Sequence, residues 1–184
     1  MTDLAYAWDQ LEELLSPIHD DVQLFARRIA RTNAEGDDVF QEAVVRAARK
    51  LGSLRDRSKF KAWMYSVVAS VHRARCRGSF WKRWASDVQP DPVGDDGSRW
   101  ADERASAERA AAALASLEPS QREAIVLFEL HGYSIEEIAE IQSASISSVK
   151  SRLVRGRDRL RGFYAKLEQP VSSALTQQEE VCRG

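Results

Sequence analysis

The sequence is poor in the residues that mark secreted, membrane-spanning and metal-centred proteins. It has two cysteines and three histidines in 184 residues, too few for a disulfide framework. Its longest apolar runs are a few residues, far below the roughly 18 needed to span a bilayer. It starts with an acidic, amphipathic segment and lacks the basic, then apolar, layout of a secretion signal. We therefore expect a reduced, cytoplasmic protein with no membrane insertion.

Motifs for catalysis are also missing. The sequence contains no phosphate-binding glycine loop and no nucleophile motif beside a recognisable base. His72 and Cys76 lie four residues apart, but two further ligands would be needed to hold zinc, and no paired spacing supplies them. We interpret this pair as a surface histidine and an inert thiol. The sequence thus predicts neither an enzyme nor a cofactor.

Charge is abundant but unevenly distributed. The formal net charge is −1, yet residues 19–77 carry +6, residues 87–143 carry −9 and residues 144–166 carry +6. Two basic blocks separated by an acidic one are typical of a protein that binds a polyanion at two places. Solvated helix faces that cluster by chance would give the same totals. The charge pattern alone leaves both interpretations open.

Apolar residues recur at helical spacing and no segment alternates with period two, which predicts an all-α fold of two small helical domains. Gly36-Asp37 is predicted to break one helix and cap the next, from about Asp38 to Leu51. The clearest helix follows, with one apolar stripe formed by Phe60, Trp63, Met64, Val67, Val68 and Val71. The predicted organisation is a domain over 1–78, a flexible acidic linker over 79–104, a domain over 105–168 and a polar, disordered tail over 169–184.

The second predicted domain contains a helix-turn-helix. Ser134 and Glu137 form a capping box, so a short helix should run from Ile135 to about Gln142. After a tight turn, Ser145 can cap a long helix that ends near Lys166. The second helix of such a motif enters the major groove of DNA. At about 100° per residue, the side chains opposite the apolar side of this helix form a polar strip, and others lie along the two edges of that strip. The strip and its edges contain seven residues: Ser147, Ser148, Lys150, Ser151, Arg152, Val154 and Arg155.

Chemistry separates the roles of these side chains. Arg155 can donate two hydrogen bonds to a guanine edge, and Val154 can pack on a thymine methyl group. Lys150 and Arg152 are better placed for phosphates. The alternative is a solvated basic face on a bundle helix, which the capped short helix and the turn before it disfavour.

The helix that starts at Phe60 has a polar, basic face opposite its apolar stripe. That face carries Ser66, Ser70, Arg73 and Arg77, and its spacing suits the backbone of a nucleic-acid strand. Tyr65 could stack on an unpaired base, or it could be a buried core residue.

The two halves of the chain together resemble the extracytoplasmic-function (ECF) sigma factors of bacteria. The resemblance is carried by the runs 132–140, 148–153 and 155–160, which look like region 4 of that family. Asp38-Val39-Phe40-Gln41-Glu42 with Arg46-Ala47 looks like its region 2 motif, and residues 60–65 look like the start of its promoter-melting helix. The similarity covers about residues 19–77 and 106–164, in the family's order.

This resemblance implies a dissociable subunit of core RNA polymerase. It implies that Asp38, Gln41, Glu42 and Arg46 dock on the clamp of the largest polymerase subunit. The following helix would recognise and melt the minus-ten element, using Lys61, Tyr65, Ser66, Ser70, Arg73 and Arg77. Region 4 would read the minus-thirty-five element and touch the flap of the second-largest subunit. The acidic linker would follow the RNA channel or serve as a solvated spacer, and an anti-sigma factor is an expected partner.

Three positions depart from the family pattern. Ala48 stands where a tryptophan is usual, and Ser70 stands near a usual asparagine, which puts that minus-ten contact in doubt. Ser143 replaces a glycine in the turn of the helix-turn-helix, where glycine would be easier if φ is positive.

Two other functions remain open from the sequence. One is a free-standing helix-turn-helix regulator that binds promoter DNA without polymerase. The other is a non-initiating protein that titrates an anti-sigma factor. Dependence of promoter binding on core polymerase distinguishes all three.

Overall fold

A computed structural model describes residues 2–79 and 101–168, and within these ranges every regular element is helical. The helices are α1 (Thr2–Leu15), α2 (His19–Ile29), α3 (Asn33–Lys50), α4 (Phe60–Ser79), α5 (Ala101–Ala115), α6 (Pro119–Ile125), α7 (Ile135–Gln142) and α8 (Ile146–Glu168). The all-α prediction is confirmed. In the described ranges, no helix combines the length and hydropathy that a membrane span requires. Most of the predicted linker and the whole predicted tail lie outside the described residues.

Helices α1 to α4 form the first domain. The apolar stripe of α4 lies in its core, where Phe60, Met64 and Val68 are buried. They pack with residues of α2 and α3 in one hydrophobic cluster that includes Phe25 and Val39. The periodicity of α4 therefore identified the inner face of this helix correctly.

The start of α3 differs from the sequence prediction. The helix begins at Asn33, five residues before Asp38, because the Thr32 side chain caps it and accepts a hydrogen bond from the Glu35 amide at 3.1 Å. Gly36 lies inside the helix, where any Cβ would meet the backbone of Arg27 on α2. Asp37 accepts hydrogen bonds from Arg27 Nε at 2.7 Å and Nη2 at 3.1 Å. The Gly36-Asp37 pair serves helix packing, so the predicted break is wrong.

Helices α5 to α8 form the second domain, in which the predicted helix-turn-helix is present. Helix α6 continues as a π-helical turn, Val126–Leu130. Helix α7 has the predicted bounds, and Ser134 and Glu137 form both bonds of the capping box. Ser143 ends α7 in the left-handed conformation, with φ of 50°, so this turn does require the positive φ that glycine adopts more easily.

The two helical domains pack against each other, a contact that the sequence analysis did not predict. Helix α4 lies against α6 and α7, and α2 lies against α5, α6 and the π-helical turn. Helix α6 is consequently enclosed, and even its charged residues Arg122 and Glu123 are only 3% and 0% exposed.

Candidate nucleic-acid interface

The outer face of α8 is a solvent-exposed strip on a rigid support. Val149, Leu153 and Gly156 are buried and hold the helix against the domain. A Cβ at Gly156 would lie 2.9 Å from Ile125 Cγ1, so glycine permits the close approach of α8 to α6. The Ser145 hydroxyl accepts the Ser148 amide at 3.2 Å and caps the helix as predicted.

The seven predicted DNA-facing residues of α8 occupy this outer surface. Ser147, Lys150, Ser151, Val154 and Arg155 are exposed, and Ser148 and Arg152 are partly exposed. The side chain of Val154 is 57% exposed, which is a high fraction for an apolar residue on a packed helix. Hydroxyl, apolar and guanidinium groups therefore lie together on one accessible helix face, as base readout in a major groove requires.

Arg152 is the cation of the set with a hydrogen bond to another helix, while Ser147 and Ser148 make local hydrogen bonds to the Ser145 hydroxyl at 3.0 and 2.8 Å. Arg152 donates a hydrogen bond to Gln142 Oε1 at 2.7 Å, and Gln142 in turn donates from Nε2 to Glu123 Oε2 at 3.3 Å. The chain of bonds joins the outer helix to the buried carboxylate of α6. Arg152 is thereby fixed at the edge of the strip, where it can meet a phosphate.

The polar face of α4 is partly open and partly covered. Ser70 and Arg77 are exposed and Ser66 is partly exposed. Lys61, at the start of the helix, donates to Asp21 Oδ2 at 3.3 Å and remains exposed. These four side chains are accessible to a strand in the conformation described.

Tyr65 is fully buried, and residues of the second domain help to bury it. Its hydroxyl lies 3.0 Å from His131 Nδ1, and its ring packs at centroid distances of 5.2 Å from His131 and 5.3 Å from Tyr133. Phe25 on α2 completes the cluster, 4.8 Å from the tyrosine ring. Burial is the first cause of a raised pKa for the Tyr65 hydroxyl, so this residue stays a neutral hydrogen-bonding group.

A second buried cluster joins the domains at Glu123. Its carboxylate lies 3.0 Å from His72 Nδ1 and accepts from Arg73 Nη1 at 2.7 Å, and both partners belong to α4. His72 is 1% exposed, so its interpretation as a surface histidine is wrong: α6 covers it. Cys76 Sγ lies 3.4 Å from His72 Nε2. No group of three or more metal-ligating side chains occurs within the described ranges.

Arg122 makes a third connection between the domains. Its Nη1 donates to the carbonyls of Ile29 and Ala30 at 2.8 and 3.0 Å, where α2 ends and its last carbonyls lack helical partners. Its Nη2 donates to the carbonyls of Ala115 and Leu117 at 2.9 and 3.3 Å. A cation at the end of a helix also complements the helix dipole.

The predicted polymerase-binding face of α3 lies on the surface. Asp38 and Gln41 are exposed, while Glu42 and Arg46 are partly exposed and joined to each other at 2.7 Å. Glu42 also accepts from Arg75 Nε at 2.9 Å. The apolar side chain of Val45, one turn from Gln41 and 41% exposed, belongs to the same surface and was missed because a valine alone gives no signal of function.

Family models match both domains. The model described as Sigma-70 region 2 matches residues 14–79, and the model described as Sigma-70, region 4 matches residues 107–160.

Curated relatives match most of the chain. The ECF RNA polymerase sigma factor SigM of Mycobacterium tuberculosis is 32% identical over 170 residues, covering 91% of this chain and 82% of that protein. The RNA polymerase sigma factor CarQ of Myxococcus xanthus is 26% identical over 171 residues, covering 90% of this chain and 95% of that protein.

Solved structures have a similar fold. The sigma factor RpoE of Bartonella quintana, in complex with the anti-sigma factor NepR, has a TM-score of 0.65 and 23% identity, covering 87% of this chain and 99% of that one. CnrH, in complex with the cytosolic domain of CnrY, has a TM-score of 0.61 and 22% identity, covering 90% and 96%.

Proposed function

This chain belongs to the ECF group of RNA polymerase sigma factors and directs transcription initiation without being an enzyme, and from that premise we propose how its surfaces divide the work. The strip on α8 reads the minus-thirty-five element, α4 holds the melted minus-ten strand, and α3 binds core polymerase. Residues 1–78 and 105–168 are the two working domains, and 79–104 connects them.

The observation that carries this proposal is the exposed strip on α8. Ser151, Val154 and Arg155 are accessible on a helix whose opposite side is anchored by Val149 and Leu153. The capping box and the left-handed turn fix the orientation of α8 relative to α7. A helix held in this way can lie in a major groove with its base-reading and phosphate-binding groups in separate rows.

The assignment of α4 rests on its basic and hydroxyl side chains. Ser66, Ser70, Arg73 and Arg77 can follow a strand backbone. Tyr65 is buried against His131 and Tyr133 and would offer its ring to an unstacked base only after those two rings move away. The binding energy of these α4 side chains would offset the cost of unstacking, a few kcal/mol per step.

The assignment of α3 rests on its mixed surface. Asp38, Gln41, Glu42 and Arg46 surround the exposed Val45, and a polar rim around an apolar centre suits a protein partner. We assign that partner as the clamp of the largest polymerase subunit, and the flap of the second-largest as the partner of region 4. We place this chain in the cytoplasm, and an anti-sigma factor is a further proposed partner, supported by the RpoE structure in complex with the anti-sigma factor NepR.

The test is transcription from a fragmented genomic library by purified bacterial core polymerase, with and without this protein. Discrete new start sites that share two spaced upstream elements support the proposal. Retention on core polymerase without new transcripts would favour a titrator, and promoter binding that needs no polymerase would favour a free-standing regulator. A matched variant, Asp38→Lys, is expected to lose retention on core polymerase while binding of the second domain to DNA is unchanged.

A further inference from the structure

A thiol, an imidazole and a carboxylate lie in line where α4 meets α6. Cys76 Sγ is 3.4 Å from His72 Nε2, and His72 Nδ1 is 3.0 Å from Glu123 Oε1. His72 and Glu123 are almost completely buried, whereas Cys76 is partly exposed. A cysteine beside an imidazole that a third group orients is the arrangement that activates a thiol for nucleophilic attack. The surfaces assigned above to DNA and polymerase do not use this thiol.

Positive charge lies next to the thiol. The pKa of His72 is raised to about 9, because its hydrogen bonds to Cys76 and Glu123 outweigh the effect of burial, so the imidazole is a cation at neutral pH. Arg73 and Arg77 precede and follow Cys76 on the same helix. Cations beside a thiol favour its thiolate, and the thiolate is the species that attacks a disulfide.

The thiol also lines a cavity that has room for a small organic group. This cavity, of about 410 Å³, lies between α4 and α6, and its other lining residues are Arg73, Arg77, Pro119 and Ser120. Two guanidinium groups and a hydroxyl can donate hydrogen bonds to a carboxylate. Among the described residues that line the cavity, none is acidic. The cavity therefore suits a negatively charged group better than a neutral or cationic one.

We propose that Cys76 is a site of thiol–disulfide exchange with a small disulfide that carries carboxylate groups, and that Arg73 and Arg77 bind those carboxylates. Sγ forms a bond to one sulfur of the reagent while the S–S bond of the reagent breaks. The electron pair leaves with the other sulfur, which takes up the proton that the Cys76 thiol gives up. The products are a mixed disulfide on Cys76 and one molecule of the small thiol. This proposal replaces the expectation of an inert thiol.

The charge of the cavity is what favours this class of reagent over a peroxide. Hydrogen peroxide is small and uncharged, so two guanidinium groups would contribute little to its recognition. Arg73 and Arg77 also belong to the face of α4 assigned to the melted strand, so carboxylates bound there would compete with phosphates. That consequence rests on the proposed function, whereas the exchange reaction itself does not.

The experiment measures exchange at Cys76 in the full-length protein at pH 7 and low ionic strength. All proteins carry Cys182→Ser, so that Cys76 is the remaining cysteine. Second-order rate constants are measured by mass spectrometry with oxidised glutathione, which is net negative, and with cystamine, which is positive. The ratio of the two constants, divided by the same ratio for the uncharged thiol N-acetylcysteinamide, gives the charge selectivity. We expect a selectivity of about tenfold or more in favour of oxidised glutathione.

Two arginine variants locate the source of this selectivity. Arg77→Gln removes an exposed cation from the cavity and should reduce the selectivity by about threefold or more. Arg157→Gln removes the same charge from an exposed pair with Glu129, at 2.7 Å, and should leave the selectivity unchanged. Both positions are on the surface, so neither substitution disturbs the core.

The role of His72 is tested by the absolute rate. An ordinary thiol is only a few per cent thiolate at pH 7, so Cys76 should react with oxidised glutathione about tenfold faster than N-acetylcysteinamide. His72→Gln should remove this advantage with both disulfides and leave the charge selectivity unchanged. The comparison with N-acetylcysteinamide needs no variant, so it decides the question even where His72→Gln does not fold.

Each contrary result overturns the inference. A selectivity near one would show that the cavity does not recognise carboxylates. Equal losses in Arg77→Gln and Arg157→Gln would show that only the overall charge matters, and a rate below that of N-acetylcysteinamide would show that burial protects the thiol. The assay contains neither DNA nor polymerase, so its failure is distinguishable from a failure of the proposed function.

Discussion

Raising the pH from about 6.5 to about 9.5 is expected to destabilise the protein through His72. Burial lowers the pKa of this imidazole, but the hydrogen bonds to Cys76 and Glu123 and the charge of Glu123 outweigh burial and raise the pKa from 6.5 to about 9. Each unit of difference between the folded and unfolded pKa values corresponds to about 1.36 kcal/mol. The protonated His72 therefore contributes about 3 kcal/mol to the free energy of unfolding.

The sign follows from which state binds the proton more tightly. The folded protein does, so the contribution is complete below the unfolded pKa of His72 and is lost as the pH rises through its folded pKa. His131 has the opposite effect, since burial lowers its pKa and stability is lost when it is forced to take up a proton. His131 is present in both proteins that are compared, so its contribution cancels and the difference between them reports on His72.

The assay is urea denaturation at half-unit intervals of pH, followed by circular dichroism. All proteins keep Cys76, because its hydrogen bond is the first of the interactions that raise the pKa of His72, and the His72→Gln variant provides the baseline. The free energy of unfolding should fall with pH in the protein that retains His72. Over the scan, this fall should be about 3 kcal/mol larger than the fall in His72→Gln. Parallel curves would show that His72 is not held as a cation by Glu123, and would refute the reasoning.

Three other substitutions have expected outcomes. Arg155→Ala should reduce the binding free energy for the cognate promoter by about 1–3 kcal/mol and relax one base preference. Lys150→Ala should weaken binding to all DNA sequences alike and reduce the salt dependence of binding. Equal effects of both variants on cognate and scrambled DNA in a binding titration would contradict this division. Ser143→Gly should raise the free energy of unfolding by about 0.5–1 kcal/mol, because φ of 50° is unfavourable for serine, and a lower midpoint in thermal melting would count against it. Gly36→Ala should lower the free energy of unfolding by about 1–3 kcal/mol or more, because the added Cβ would meet the backbone of α2. Gly52→Ala, which adds a Cβ in open space, is the control in the same thermal melt.

Local signals in the sequence identified most of the helices and the outer face of α8. The bounds of α7 followed from the Ser134 capping box, and the buried and exposed sides of α8 followed from its periodicity. Such features depend on neighbouring residues, so the sequence contains what decides them. The start of α3 was missed although Thr32 and Glu35 have the spacing of a capping signal, because Gly36 was interpreted as a break when it permits the approach of α2.

The contact between the domains could not be predicted in the same way. Glu123 meets His72 and Arg73 across 50 residues of sequence or more, and helical periodicity carries no information on such pairs. One local signal was available: Arg122 and Glu123 directly precede the continuous apolar run 124–128, and a helix that is apolar on all sides is enclosed. Charged residues at the start of such a helix are expected to be buried with partners.

The composition of the contact also determines how readily it opens. When the domains separate, His72 and Arg73 return to water, and their hydration offsets much of the lost attraction to Glu123. Glu123 itself keeps Gln142 as a neighbour within the second domain. An apolar contact would lose about 25 cal/mol for each Å² exposed, with no comparable offset. A contact centred on ions that water can solvate therefore fixes one relative position of the two domains, and it adds less to their association than its number of hydrogen bonds suggests.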